Sequence, residues 1–227
     1  MADLRTERWA EHRVEMRKQL VAAAMRAIEQ EGPGVSMRQI AAEAQVPKPT
    51  LYRFFTDKSE LAAAIADQAT EDIVLALVSA RQTPVSTLGE LLGLTLRGYV
   101  ALLDQHPEVS RFLMFGSETG AKHALENSRA VAKEIASLME VLVGALGGSG
   151  ADCQLYASMI VGAVTGAADH WLGDTAPGRS MDAFVERVEP VIREICLLVG
   201  ADAGVVIDFD AALDDSAAGM IAAMAPS

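Results

Sequence analysis

Between Ser36 and Leu61 the chain reads SMRQIAAEAQVPKPTLYRFFTDKSEL. This is a short helix, a tight turn, a second short helix and the capped start of a third. The second helix carries Lys48, Thr50, Tyr52 and Arg53 on a body too small to be a core of its own. Such a pair suggests a helix-turn-helix, whose second helix lies in a DNA major groove. The rest of the chain is then a scaffold that positions this element and regulates it.

The local signals agree with one another. Ser36 with Gln39 three residues on is a capping box, which satisfies orphan amides at a helix start. Met37, Ile40 and Ala41 form the inward face of that helix, with Arg38 and Gln39 outward. Ala44 to Pro47 is the turn, and Pro47, Lys48 and Pro49 open the next helix, where a missing amide costs nothing. Leu51 and Phe55 point inward, and Phe54 and Phe55 read as core rather than base-stacking groups, since duplex DNA exposes no stacking faces. Asp57 and Glu60 form an acidic cap pair opening a long helix through Leu61, Ile65, Ile73 and Leu77. Upstream, Leu20, Val21, Ala24, Met25 and Ile28 mark an amphipathic helix from Val14 to Glu31, stopped by Gly32, Pro33 and Gly34. Residues 1–13 are either a frayed extension of it or a basic arm using Arg5, Arg8 and Arg13.

A net charge of −12 argues against a DNA binder until it is divided. Residues 1–61 hold ten Lys/Arg and nine Asp/Glu, a balance of +1, whereas residues 62–227 hold nine and 22, a balance of −13. Local charge near phosphates matters more than the total, and the acidic remainder repels DNA from the wrong face. Half the residues are hydrophobic and 5% aromatic, with Ala, Leu and Val abundant, which suits helices packed on helices. An all-α fold is therefore expected. Residues 1–19 are polar, unlike a signal peptide, and Leu155 to Ala168 is too short to span a membrane. A soluble, cytoplasmic protein is expected, with Cys153 and Cys196 as buried structural thiols.

Downstream, helices are expected over Thr87 to Gln105, Pro107 to Phe115, Glu118 to Leu146, Asp152 to Leu172 and Met181 to Val199. The first of the last two has a small-residue face of Gly162, Ala163, Gly166 and Ala167. The second has Phe184, Val188, Val191, Ile195 and Leu198 on one stripe, with Pro190 expected to kink it or to leave a carbonyl unpaired. Helices apolar on more than one face need partners on both sides, so Gly162, Gly166, Phe184, Val188, Val191 and Ile195 are candidate homodimer contacts. Residues 201–227 form an acidic tail without Lys or Arg, either disordered or a short helix through Phe209, Leu213, Met220 and Ile221.

The opening stretch resembles the DNA-binding domain of the TetR/AcrR family of transcriptional repressors. That pattern is a helix ending in Ile-Ala, a turn, Thr-(Leu/Ile)-Tyr, two aromatic or His residues, and Lys-x-x-Leu. Here it stands as Ile40-Ala41, Val46, Thr50-Leu51-Tyr52, Phe54-Phe55 and Lys58 to Leu61. The departures are Gln45 where the turn usually has glycine, Pro47 for serine and Pro49 for glycine. Gln45 must take a left-handed backbone or alter the turn. The resemblance implies a helix-turn-helix domain over 1–61, a helical ligand-binding and dimerisation domain over 62–200, and a tail over 201–227. It also implies that the last two long helices pair with a second subunit's as a four-helix bundle.

Candidate DNA-binding residues are Ser36, Arg38, Gln39, Lys48, Pro49, Thr50, Tyr52, Arg53 and Lys58. Lys48 and Arg53 can reach phosphates or guanine edges, and Lys58 adds charge at the next helix start. Thr50 and Tyr52 offer hydroxyls, which in the resembling family anchor backbone phosphates. The resemblance further implies an effector cavity, with Tyr99, Leu103, Phe112, Phe115, Met139, Leu142, Met159 and Trp171 as lining and Asp169 and His170 as polar markers. Its apolar inventory suits a small hydrophobic or amphipathic effector, and no cation stands out to grip a carboxylate. No cofactor or metal is expected, because His12, His106, His123 and His170 lack ligand spacing. No phosphate-cradling loop or nucleophile elbow occurs, so catalysis is not expected. The expected function is a ligand-responsive repressor binding a palindromic operator as a homodimer. The alternatives are a ligand-independent DNA-binding dimer and a helical-bundle lipid carrier or enzyme.

Overall fold

Helical periodicity becomes nine α-helices among the described residues, which in this computed structural model are 4–115, 118–173 and 180–213 with Gly219 and Ala223. They are α1 (Leu4–Glu31), α2 (Met37–Glu43), α3 (Lys48–Phe54), α4 (Lys58–Gln82), α5 (Leu88–Gln105), α6 (Pro107–Phe115), α7 (Glu118–Ala145), α8 (Cys153–Gly173) and α9 (Met181–Ala203). No strand occurs among the described residues, only an isolated antiparallel bridge between Thr87 and Ala212. The fold is all-α. The first helix begins at Leu4, so the polar arm continues α1.

The helices divide into two units, Met1–Ala69 with His106–Ala124, and Thr70–Gln105 with Leu125–Ser227. The division differs from the expected break at residue 61, because α6 returns to the first unit. Its Val109 and Phe112 enter the same buried cluster as Leu20 and Ile28 of α1, Ile40 of α2, Leu51 of α3, Phe55 just after it, and Ile65 of α4. Glu29 of α1 fastens the start of α6 by accepting from the Val109 amide at 2.8 Å and the Glu108 amide at 3.5 Å. A carboxylate there satisfies amides that no earlier turn can reach. Sequence spacing could not reveal this cap, since its partners stand 79 and 80 residues apart.

In the second unit α9 packs on α5 and α8. It starts at Ser180, whose hydroxyl accepts from the Ala183 amide at 3.1 Å, and runs through Pro190 to Ala203, four residues past the expected end at Val199. Gly204, at φ 72°, closes it in the left-handed conformation that glycine takes without Cβ strain. The chain then doubles back. Val205 donates to Gly200 O at 2.9 Å, and the Gly89 and Leu213 amides donate to Phe209 O at 2.9 Å and to Ser86 O at 2.8 Å. Buried Phe209 lies under the Arg193 guanidinium, which also pairs with Asp210 at 3.2 Å. Residues 205–213 are therefore an ordered, non-helical strap, a correction to the disordered or helical tail expected there. A Cβ on Gly200 would stand 2.9 Å from Val205 O, so the strap fits only against a bare backbone. Met220 and Ile221 lie outside the described residues.

Candidate nucleic-acid interface

The first unit presents its two short helices from a closed apolar base. Leu51 and Phe55 are fully buried, Ile40 and Ala41 nearly so, and these four fix α2 and α3. Ser36 caps α2 with both halves of a capping box. Its hydroxyl accepts from the Gln39 amide at 3.4 Å, and Gln39 Oε1 accepts from the Ser36 amide at 2.9 Å. The Gln39 side-chain Nε2 donates to the Glu31 carboxylate. Gln39 is thus committed to holding α2 in place rather than free to read a base.

The turn between the helices is made at a cost. Gln45 takes φ 54°, a left-handed backbone for a residue with a Cβ, and is alone among the described non-glycine residues in having a positive φ. The Val46 amide then bonds Ala41 O at 3.0 Å. Of the two alternatives raised for Gln45, the structure takes the strained one. Pro47 stands at the N-cap of α3 without a side-chain bond, and the Thr50 amide instead bonds Pro47 O at 2.8 Å.

On α3, Lys48, Pro49, Tyr52 and Arg53 are exposed and Thr50 is half-buried, while Arg38 is exposed on α2. Lys48 Nζ lies 5.4 Å from the Tyr52 ring centroid, an arrangement that steadies both side chains at the surface. Between Ser36 and Phe55 the charges are Arg38, Lys48 and Arg53 against Glu43, and Glu43 is paired with Arg26 at 2.8 Å. The face therefore carries surplus positive charge.

Lys58 stands apart from this set. It is half-buried, its Nζ donates to Pro33 O at 3.3 Å, and it lies 5.4 Å from the Phe112 ring centroid. Loss of water around it lowers its pKa below 10.5. At the same helix start, Asp57 accepts from the Glu60 amide at 2.9 Å, and Glu60 accepts from the Thr56 amide and hydroxyl at 2.7 and 2.9 Å. These bonds, the amide's first, lower the Glu60 pKa.

Residues 20–65 match the family described as bacterial regulatory proteins, tetR family. Over 185 residues the chain is also 31% identical to an HTH-type transcriptional regulator of Mycobacterium tuberculosis, covering 81% of this chain and 78% of that one. The chain belongs to the TetR family. It is a transcriptional regulator rather than an enzyme, and regulators of this family bind DNA. A TetR-family regulator from Streptomyces coelicolor superposes with a TM-score of 0.61 at 20% identity, over 91% of this chain and 88% of that one. Another, from Pectobacterium atrosepticum, gives 0.66 at 22% identity over 86% and 98%. Both share the fold.

The other candidate residues of this TetR-family chain separate by burial. Leu103, Met139 and Trp171 are buried, Trp171 meeting Phe184 edge-on with centroids 5.8 Å apart. Tyr99 is half-buried, and desolvation raises its phenol to about 12 despite a hydrogen bond with Thr165. Leu142 packs on a small leucine cluster. Three expectations need correction. Phe112 belongs to the core of the first unit, and Met159, Asp169 and His170 are exposed, because α8 turns that face outward. Phe184 and Val188 are buried within the chain, Ile195 is half-buried, and Gly162, Gly166 and Val191 are exposed. The Phe115 side chain lies outside the described residues. A pocket of about 300 Å³ opens between α1 and the end of α2, beside Leu20, Arg26 and Gln45, and touches none of the expected effector residues. Cys153 is buried and Cys196 half-buried, and desolvation raises both thiols, Cys196 to about 11. No helix among the described residues is long and apolar enough to cross a membrane.

Proposed function

We propose that this regulator is a cytoplasmic, ligand-responsive repressor that grips a palindromic operator as a homodimer. The observation that carries the reading is the exposed set Arg38, Lys48, Tyr52 and Arg53, with Thr50 half-buried beside them, raised on a buried base of Leu51 and Phe55. Lys48 and Arg53 supply charge for phosphates or guanine edges, and Thr50 and Tyr52 supply hydroxyls for backbone oxygens. Ser36 and Gln39 hold α2 in place, and Lys58 braces the start of α4 within the first unit. Pro49 fixes the entry of α3 into the groove.

Pairing follows from an apolar surface that a single chain leaves wet. Leu155 and Met159 on α8 are 50% and 48% exposed, on one face with Gly162 and Gly166. Val191 and Leu198 on α9 are 50% and 56% exposed and seven residues apart, again one face. Covering both stripes with a second copy buries them and sets two recognition helices about one turn of DNA apart, ~34–36 Å. A hydrophobic effector that shifts this spacing releases both half-sites together.

A gel shift on the DNA upstream of its own gene tests the reading. Arg53→Ala should weaken binding and lower the salt dependence by about one phosphate equivalent. Tyr52→Ala should weaken it too, and Lys58→Met far less than either. Binding unchanged in both Arg53→Ala and Tyr52→Ala would refute the assignment.

A further inference from the structure

Helix α1 is longer than the core it serves. It starts at Leu4, yet among its described side chains the first buried one is Leu20, with Met16 half-covered before it. Ahead of that point Trp9 is 70% exposed, and Glu11, His12, Arg13, Glu15, Arg17 and Lys18 are exposed as well. This stretch buries little within the first unit, so its surface is open to a partner.

Its charges are sorted by face. Trp9, Arg13 and Arg17 recur at intervals of four, and the same face becomes the core side at Leu20, Ala24 and Ile28. Glu11 and Glu15, also four apart, are offset from them by two positions, about 200° round the helix. Glu15 accepts from Gln19 Nε2 at 2.9 Å, along its own side. Two guanidinium groups thus stand on one face and two carboxylates on the other, and the mixed composition of the stretch conceals a basic stripe.

The stripe adjoins the recognition helix. The Arg17 guanidinium lies 5.0 Å from the ring centroid of Phe55, the C-cap of α3, and the last turn of α3 carries exposed Arg53. Val14, the other large apolar side chain exposed here, is about 140° round the helix from Trp9, so the two make no joint patch for a protein partner.

We propose that the Trp9, Arg13 and Arg17 face of α1 is a second DNA contact, binding backbone phosphates that flank the half-site met by α3. This rests on the reading of the protein as a DNA-binding regulator and extends its interface beyond the two short helices. Charge complementarity selects the partner. Duplex phosphates attract the two guanidinium groups, while Glu11 and Glu15 stay on the side away from them. Arg13 and Arg17, about 5–6 Å apart at Cβ, each reach a phosphate, and the Trp9 indole N–H is a further donor on the same face. Contacts of this kind add affinity and fix register without reading sequence.

The test uses duplexes cut from the DNA upstream of the gene, with binding to the full chain followed as salt is raised. Arg13→Gln and Lys18→Gln each remove one exposed positive charge, the first from the stripe and the second from the side that carries the carboxylates. Arg13→Gln should lower the slope of log affinity against log salt by about 0.9 for each subunit bound, and Lys18→Gln by much less. Trp9 gives a second readout, because the only other tryptophan, Trp171, is 8% exposed. Acrylamide should quench Trp9 in the free protein and lose access to it when duplex is added. An Arg13→Gln slope equal to that of the wild type or of Lys18→Gln, or Trp9 quenched equally with and without duplex, would overturn the proposal. So would a Trp9 shielded in the DNA-free protein and uncovered on dilution, which assigns the face to a second copy of the chain. Any of these results with Arg53→Ala still weakening binding leaves the regulator reading intact. Duplex that the wild type fails to retain even at low salt rejects both.

Discussion

Gln45 is the residue at which local preference and tertiary need conflict most openly. The turn between α2 and α3 needs a left-handed residue, and the chain supplies a side chain with a Cβ at φ 54°. That conformation costs roughly 1–2 kcal/mol relative to glycine, part of which glycine would lose again through its freer unfolded chain. Gln45→Gly should therefore raise stability by about 0.5–1 kcal/mol, read as a higher melting temperature with operator binding retained. A lower melting temperature would mean that Gln45 contributes contacts outweighing its strain. Lys58 teaches the complementary lesson. Its place in the sequence motif suggests a phosphate contact, yet its ammonium sits against the Pro33 carbonyl and the Phe112 ring. Spacing along one helix gave no sign of this, because Phe112 arrives from residues more than 50 positions away.

At the scale of the element, α6 is the piece whose place could be read least well. Its sequence, PEVSRFLMF, is amphipathic, and its apolar face suits a ligand pocket as well as it suits a core. The fold decides for the core of the first unit, through Val109 and Phe112. Glu29 completes the attachment by capping the α6 amides. Replacing it by alanine leaves the Val109 amide without that partner, at a cost of about 1 kcal/mol, near that of losing an N-cap. Hydrogen exchange should show this as faster exchange confined to the first turn of α6, and uniform exchange across the first unit would argue against a local cap. By contrast, α2 was legible to the residue. Its Ser36–Gln39 box, its buried Met37, Ile40 and Ala41, and its exposed Arg38 all follow from helical periodicity and capping chemistry.

For the whole molecule, the stripes on α8 and α9 bear on assembly. Single-chain packing already consumes Phe184 and Val188, so the surface left for a partner centres on Leu155, Met159, Val191 and Leu198. A charge placed there is destabilising only if the surface is covered. Val191→Arg with Leu198→Glu should halve the mass seen by light scattering while helical content is kept, and should weaken operator binding because the two half-sites are no longer held together. An unchanged mass would place the interface elsewhere.

The sequence by itself determined the all-α class, the helix-turn-helix, its caps and its family, because these rest on interactions within a few residues, where periodicity and side-chain chemistry are read directly. Only the tertiary structure decided where α6 belongs, how the strap at 205–213 seats on Gly89 and Gly200, and that Arg81 meets Glu134 in the interior. Those outcomes join groups far apart in the chain. Which of several apolar faces meets which is settled by packing and burial of the whole, and no local signal carries that information.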